Sequence, residues 1–109
     1  MKLLFAVVQN DDVKSLVKAL IEHEVSVTRI SSSGGFLRGG NTTLMIGVEK
    51  GRVEGTLELI RTHSSRREIL TAASSALPML GVDPVHTPVR VTVGGATVFV
   101  VDAEQYVKL

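Results

Sequence analysis

Phe36, Leu37, Arg38 and Asn41 stand among four glycines, Gly34, Gly35, Gly39 and Gly40, in a short stretch between two segments rich in β-branched residues. Glycine reaches φ > 0 and leaves peptide N–H groups uncovered, so paired glycines can shape a concavity that holds an anion. Phe36 and Leu37, with Gly-Gly on both sides, stay exposed unless they cover a neighbouring subunit or a flat ligand. The Asn41 amide offers a donor and an acceptor together, which matches an adenine edge as a lysine cannot. Thr28, on the segment entering the loop, carries a hydroxyl suited to a phosphate. These residue types together suit a purine nucleotide. Composition alone favours a plain hairpin tip over a site, because loops rich in Gly and Ser are mostly connections.

Other chemistries fit less well. The stretch 35–42 has the spacing of a phosphate-binding P-loop, but Asn41 stands where that loop requires lysine, and the chain continues into a strand rather than a helix. His23, His63 and His86 lack metal-ligand spacing, and a histidine at a helix C-terminus is accounted for by the helix dipole. None of Ser31, Ser32, Ser33, Ser64, Ser65, Ser74 and Ser75 lies in Gly-x-Ser-x-Gly. Arg61, Arg66 and Arg67 cluster at a helix end, where the dipole again suffices and a phosphate clamp is the alternative. No catalytic residue, cofactor or metal is implied.

The elements that must position the loop follow from periodicity. An apolar run predicts a strand over 3–8. Asn10 or Asp11 then caps an amphipathic helix, whose stripe of Val13, Leu16, Val17, Leu20 and Ile21 runs to about residue 23. Strands are predicted over 25–31 and 42–49, with Gly47 inside the second marking a bulge or a close approach. The first of these puts Ser26, Thr28 and Ile30 on one face and Val25, Val27 and Arg29 on the other. Val53, Leu57 and Ile60 predict a second helix over 52–63. The segment 64–87 shows no period. Two strands over 88–93 and 96–101, joined by a Gly94-Gly95 hairpin, precede a short tail with Tyr106. The order is β-α-β-β-α-β with an extra strand, an α+β ferredoxin-like arrangement with two helices on one face of an antiparallel sheet. The second face needs a cover, and oligomerisation through the sheet supplies one.

The totals agree. The 109 residues are expected to form one domain, 1–109, with 44% hydrophobic residues and 21% charged, the balance of a folded chain. A net charge of +1 gives no general attraction to nucleic acid, so an anion must be held locally. The absence of cysteine removes disulfides, thiolate metal sites and cysteine nucleophiles. The apolar run near Met1 is too short for a signal peptide and no segment is long enough to span a bilayer, so membrane insertion is not expected and a cytoplasmic location is.

At the glycine loop the sequence resembles the PII-like cyclic di-AMP receptor family, the PstA or DarA type. The resemblance covers nearly the whole chain: Met1-Lys2-Leu3-Leu4-Phe5-Ala6-Val7-Val8-Gln9, Val27-Thr28, Gly34-Gly35-Phe36-Leu37, Gly40-Asn41-Thr42-Thr43-Leu44-Met45-Ile46-Gly47-Val48-Glu49, Val93-Gly94-Gly95-Ala96-Thr97-Val98-Phe99-Val100 and Glu104-Gln105-Tyr106. It implies a homotrimer with sheets facing the centre, a nucleotide in each cleft between subunits, no catalysis, and loop reordering that is offered to a protein partner. By that likeness Asn41 and the Gly47 backbone recognise an adenine, Phe36 and Leu37 cover the bases, and Val27, Thr28 and Gly35 touch the phosphates. The region of Gly94 and Phe99 contributes from the same or an adjacent subunit. The chain departs from the pattern at Ser26, where such receptors commonly carry an arginine paired with a phosphate. A PII-type interaction module with a lost or altered nucleotide site is therefore the alternative, and an enzyme using 64–87 as a lid is a third reading.

Overall fold

The computed structural model describes residues 1–30, 40–71 and 89–109. Strand β1 (Lys2–Gln9) leads into helix α1 (Asn10–Glu22), then β2 (Ser26–Ile30) and β3 (Asn41–Val48). A short 3-10 turn at Lys50–Arg52 opens α2 (Val53–Ser64), and β4 (Arg67–Thr71), β5 (Val89–Val93) and β6 (Ala96–Asp102) follow. β1, β2, β3 and β6 form one antiparallel sheet in the order β2-β3-β1-β6. β3 lies between β1 and β2, so the β1-α1-β2 unit skips one strand, and the β-α-β-β-α-β, α+β arrangement expected from periodicity is present.

Both helices pack on one face. Leu4, Ala6 and Val8 of β1 and Leu44, Ile46 and Val48 of β3 alternate inward and meet Val13, Leu16 and Leu20 of α1 and Ile60 of α2. Burying side chains of this size contributes about 1.5–3 kcal/mol each, which makes this layer the main source of stability. Thr56 and Ser64 are also buried on α2, because their hydroxyls donate to the carbonyls of Arg52 and Ile60 one turn earlier. Arg52 donates to the His23 carbonyl at 2.6 Å, tying the end of α1 to the start of α2. At the sheet rim Lys2 pairs with Asp102 across β1 and β6, and that ammonium holds the Asp102 carboxyl below its ordinary value.

Three local expectations are corrected. Helix α1 is not capped by Asn10 or Asp11: Gln9 occupies the cap position without a side-chain cap bond. The Asn10 side chain instead accepts from Thr42 Oγ1, and its backbone N–H donates to the Gly40 carbonyl at 2.8 Å. Secondly, 64–87 is not without structure throughout, since it contains β4. Thirdly, β5 and β6 do not form a hairpin. β5 pairs with β4 as a separate two-stranded ribbon, whereas β6 pairs with β1. Gly94 and Gly95 lie at φ +82° and +92°, and their N–H groups go to Gln9 Oε1 and the Ser64 carbonyl rather than across a tight turn. They redirect the chain from ribbon to sheet.

Candidate functional site

Ser26, Thr28, Asn41, Gly47 and Phe99 lie on the face of the sheet turned away from the helices. Cross-strand register puts Val101, Leu3, Gly47 and Ser26 in one row, and Phe99, Phe5, Met45 and Thr28 in the next. Phe99 and Val101 are about half exposed, at 48% and 47%. Val27 and Arg29 pair with Ile46 and Leu44 and so belong to the helix-side face. Arg29 therefore does not reach the surface that holds Ser26.

Two clefts lie at opposite ends of this face. One, of about 350 Å³, is lined by Ser26, Thr28 and Gly47 together with Met1, Met45, Gln105 and Tyr106. Its floor is open at Gly47, where an added Cβ would meet nothing closer than Met1 Sδ at 3.9 Å. Among the described residues no lysine or arginine side chain lines it. The other, of about 520 Å³, is lined by Val7, Gln9, Asn41, Arg66 and the turn from Gly94 to Thr97. Here Gln9 Oε1 accepts the Gly94 N–H at 2.7 Å, so the peptide at Gly94 is already committed within the chain.

Asn41 and Gly47 lie towards the two ends of β3. Six residue steps along the strand separate them by roughly 20 Å, too far for one base to touch both within a chain. Ser26, Thr28 and Gly47 are brought together, Asn41 and Gly94 are brought together, and Phe99 stands between on β6. Gly35, Phe36 and Leu37 fall outside the described residues.

Several lining residues carry no motif that singles them out in the sequence. Gln9 ends β1, Arg66 follows α2, and Gln105 and Tyr106 lie in the tail beyond β6; the signals were the arginine cluster that holds Arg66 and the chain's single tyrosine. His23 and His63 are engaged elsewhere, and His86 lies outside the described residues. His23 Nδ1 donates to the Ala19 carbonyl at 2.8 Å, and His63 Nδ1 shares a 2.7 Å hydrogen bond with Ser15, joining α2 to α1 on the helical side. Among the described residues no cluster of His, Asp or Glu is arranged to hold a metal ion. No helix among them is long and apolar enough to cross a membrane.

Comparison with known proteins gives the site its context. A solved structure of a functionally unknown protein from Pediococcus pentosaceus ATCC 25745 is similar to this chain at 39% identity, with a TM-score of 0.78 over 99% of this chain and 96% of that one. The family described as cyclic-di-AMP receptor, a family of receptors rather than enzymes, matches residues 1–109. From the first residue to the last, the chain belongs to the cyclic-di-AMP receptor family.

Proposed function

We propose that the protein is a trimeric cytoplasmic receptor that binds cyclic di-AMP, or a related adenine nucleotide, in clefts between subunits and relays binding to a protein partner by reordering its loops. The observation that carries this reading is the helix-free sheet face, which has the Ser26, Thr28 and Gly47 cleft at one end and the Asn41 and Gly94 cleft at the other. A ligand with two adenines and a central diphosphodiester ring has recognition elements at both of its ends. The two ends of β3 become neighbours only when separate subunits contribute them, so an adenine held by both Asn41 and Gly47 takes one residue from each of two chains. Val27 contributes through its backbone, since its side chain faces the helices. Gly35, Phe36 and Leu37 close over the bases from the adjoining loop, and Phe99 adds an aromatic surface from β6.

Calorimetry with purified protein tests the reading. Binding in the nanomolar to micromolar range is expected, on the order of 8 to 12 kcal/mol. Absence of heat with both cyclic di-AMP and ATP overturns it. The alternative, an interaction module with an altered nucleotide site, is favoured by Ser26, which faces Gly47 across the strand pair and gives the smaller cleft a hydroxyl in place of a cation. Ser26→Arg separates the two, because binding that appears only in the variant would make the native chain such a module.

A further inference from the structure

The three arginines near the end of α2 have different surroundings. Arg61 pairs with Glu58 at 2.5 Å. Arg67 reaches Asp12 at 2.9 Å and the Ser65 carbonyl at 3.0 Å. Arg66 is exposed and has no ion pair or hydrogen bond among the described residues, yet it lines the larger cleft with Gln9, Asn41, Gly94 and Thr97. Among the described residues no carboxylate side chain lines that cleft. Gln9 spends its carbonyl oxygen on Gly94 and keeps its NH2 as a donor, Thr97 adds a hydroxyl, and the guanidinium supplies five further donors in a fork that fits phosphate oxygens. The smaller cleft has the opposite character, with hydroxyls and thioethers but no cationic side chain among the described residues.

We infer that Arg66 is the residue that reads the anionic part of the nucleotide, at the Asn41 end of the sheet, and that this chain has its phosphate-recognising charge there rather than beside Ser26. The inference rests on the nucleotide-binding reading above. It assigns the larger cleft to a phosphodiester and its adjoining adenine, with Asn41 for the base and Arg66 for the charge.

The test is calorimetric titration of cyclic di-AMP into wild-type protein, Arg66→Gln, Arg66→Lys and Arg61→Gln, each at low and high salt. Loss of a charge-assisted phosphate bond is expected to weaken Arg66→Gln about 10- to 100-fold and to flatten the salt dependence of its affinity. Arg66→Lys keeps the charge but not the fork and falls between. Arg61→Gln binds as wild type. Thermal midpoint and sedimentation mass stay unchanged in all three variants, which separates recognition from support of the fold. Wild-type affinity in Arg66→Gln, an unaltered salt slope, or an equal loss in Arg61→Gln overturns the inference and leaves the receptor reading intact. Failure of the wild-type protein to bind any adenine nucleotide removes that reading, and the inference with it.

Discussion

Gly47 and Gly94 sit in different kinds of space, and that difference predicts different consequences of adding a methyl group. At Gly94 the backbone is left-handed, and a Cβ would stand 2.2 Å from the Ser65 carbonyl oxygen and 2.6 Å from the Arg67 guanidinium. Gly94→Ala is expected to lose about 1–3 kcal/mol from the backbone conformation, with the collision adding to it, as read by urea denaturation. At Gly47 the added methyl meets only the flexible end of Met1. Gly47→Ala should therefore leave stability unchanged or raise it by roughly 0.5 kcal/mol, the usual gain of removing glycine from a strand. Its methyl projects into the cleft shared with Ser26 and Thr28, so cyclic di-AMP affinity is expected to fall at least about tenfold, some 1.4 kcal/mol. A loss of stability without a loss of binding would place Gly47 among the structural glycines. The sequence made Gly47 noticeable because glycine is unusual inside a β-branched strand. It could not do the same for Arg66, since three neighbouring arginines at a helix end look alike until their partners are seen.

The β4–β5 ribbon is joined to the main sheet through a few polar contacts at its root. Arg67, the first residue of β4, holds Asp12 in the first turn of α1, while Gly94 and Gly95 donate to Gln9 and Ser64. Asp12 is 5% exposed, and its second oxygen, Oδ2, has no hydrogen-bond partner among the described residues. Removing Arg67 leaves a buried carboxylate without its cation. Arg67→Gln is expected to cost about 1–3 kcal/mol in denaturant unfolding, and Asp12→Ala in the same chain should recover part of it by removing the stranded charge. Amide exchange in β4 and β5 should speed up more than in β1 and β3, since the Arg67–Asp12 ion pair is the ribbon's own tether. Uniform acceleration across both sheets would mean that the ribbon and the core open together. This element also marks where periodicity ceases to inform. β1, β3 and both helices bury one side, and that burial writes itself into the sequence as alternation or a stripe. Ile69 in β4 is 44% exposed, so nothing forced the apolar pattern that would have announced a strand. The pairing of β5 with β4 rather than β6 was hidden for a related reason: Gly94-Gly95 has the composition of a hairpin turn, and only the partners of its N–H groups show that it redirects the chain.

For the whole molecule, the outstanding demand is a cover for the sheet face without helices. Leu3, Phe5, Val7 and Met45 lie on it in the two central strands, with Phe99 and Val101 beside them on β6. A continuous apolar surface of this kind favours association, and a net charge of +1 opposes it only weakly. Asn41 and Gly47 lie towards opposite ends of β3, so the proposed sharing of one adenine between them would add a functional reason, since both ends would have to meet across a boundary between chains. Assembly and ligand binding should therefore be lost together. Sedimentation is expected to give three times the 11.7 kDa chain mass, with a molar ratio of one nucleotide per chain in calorimetry. Phe99→Glu puts a charge on that face, at its β6 side. It is expected to shift the protein to a monomer and to abolish cyclic di-AMP binding, although the helix-side core that holds each subunit together is untouched. Far-ultraviolet circular dichroism like that of the wild type would show the subunit still folded. A wild-type monomer that binds the nucleotide at full stoichiometry would overturn the shared cleft, since one chain would then have to hold a complete site between residues roughly 20 Å apart.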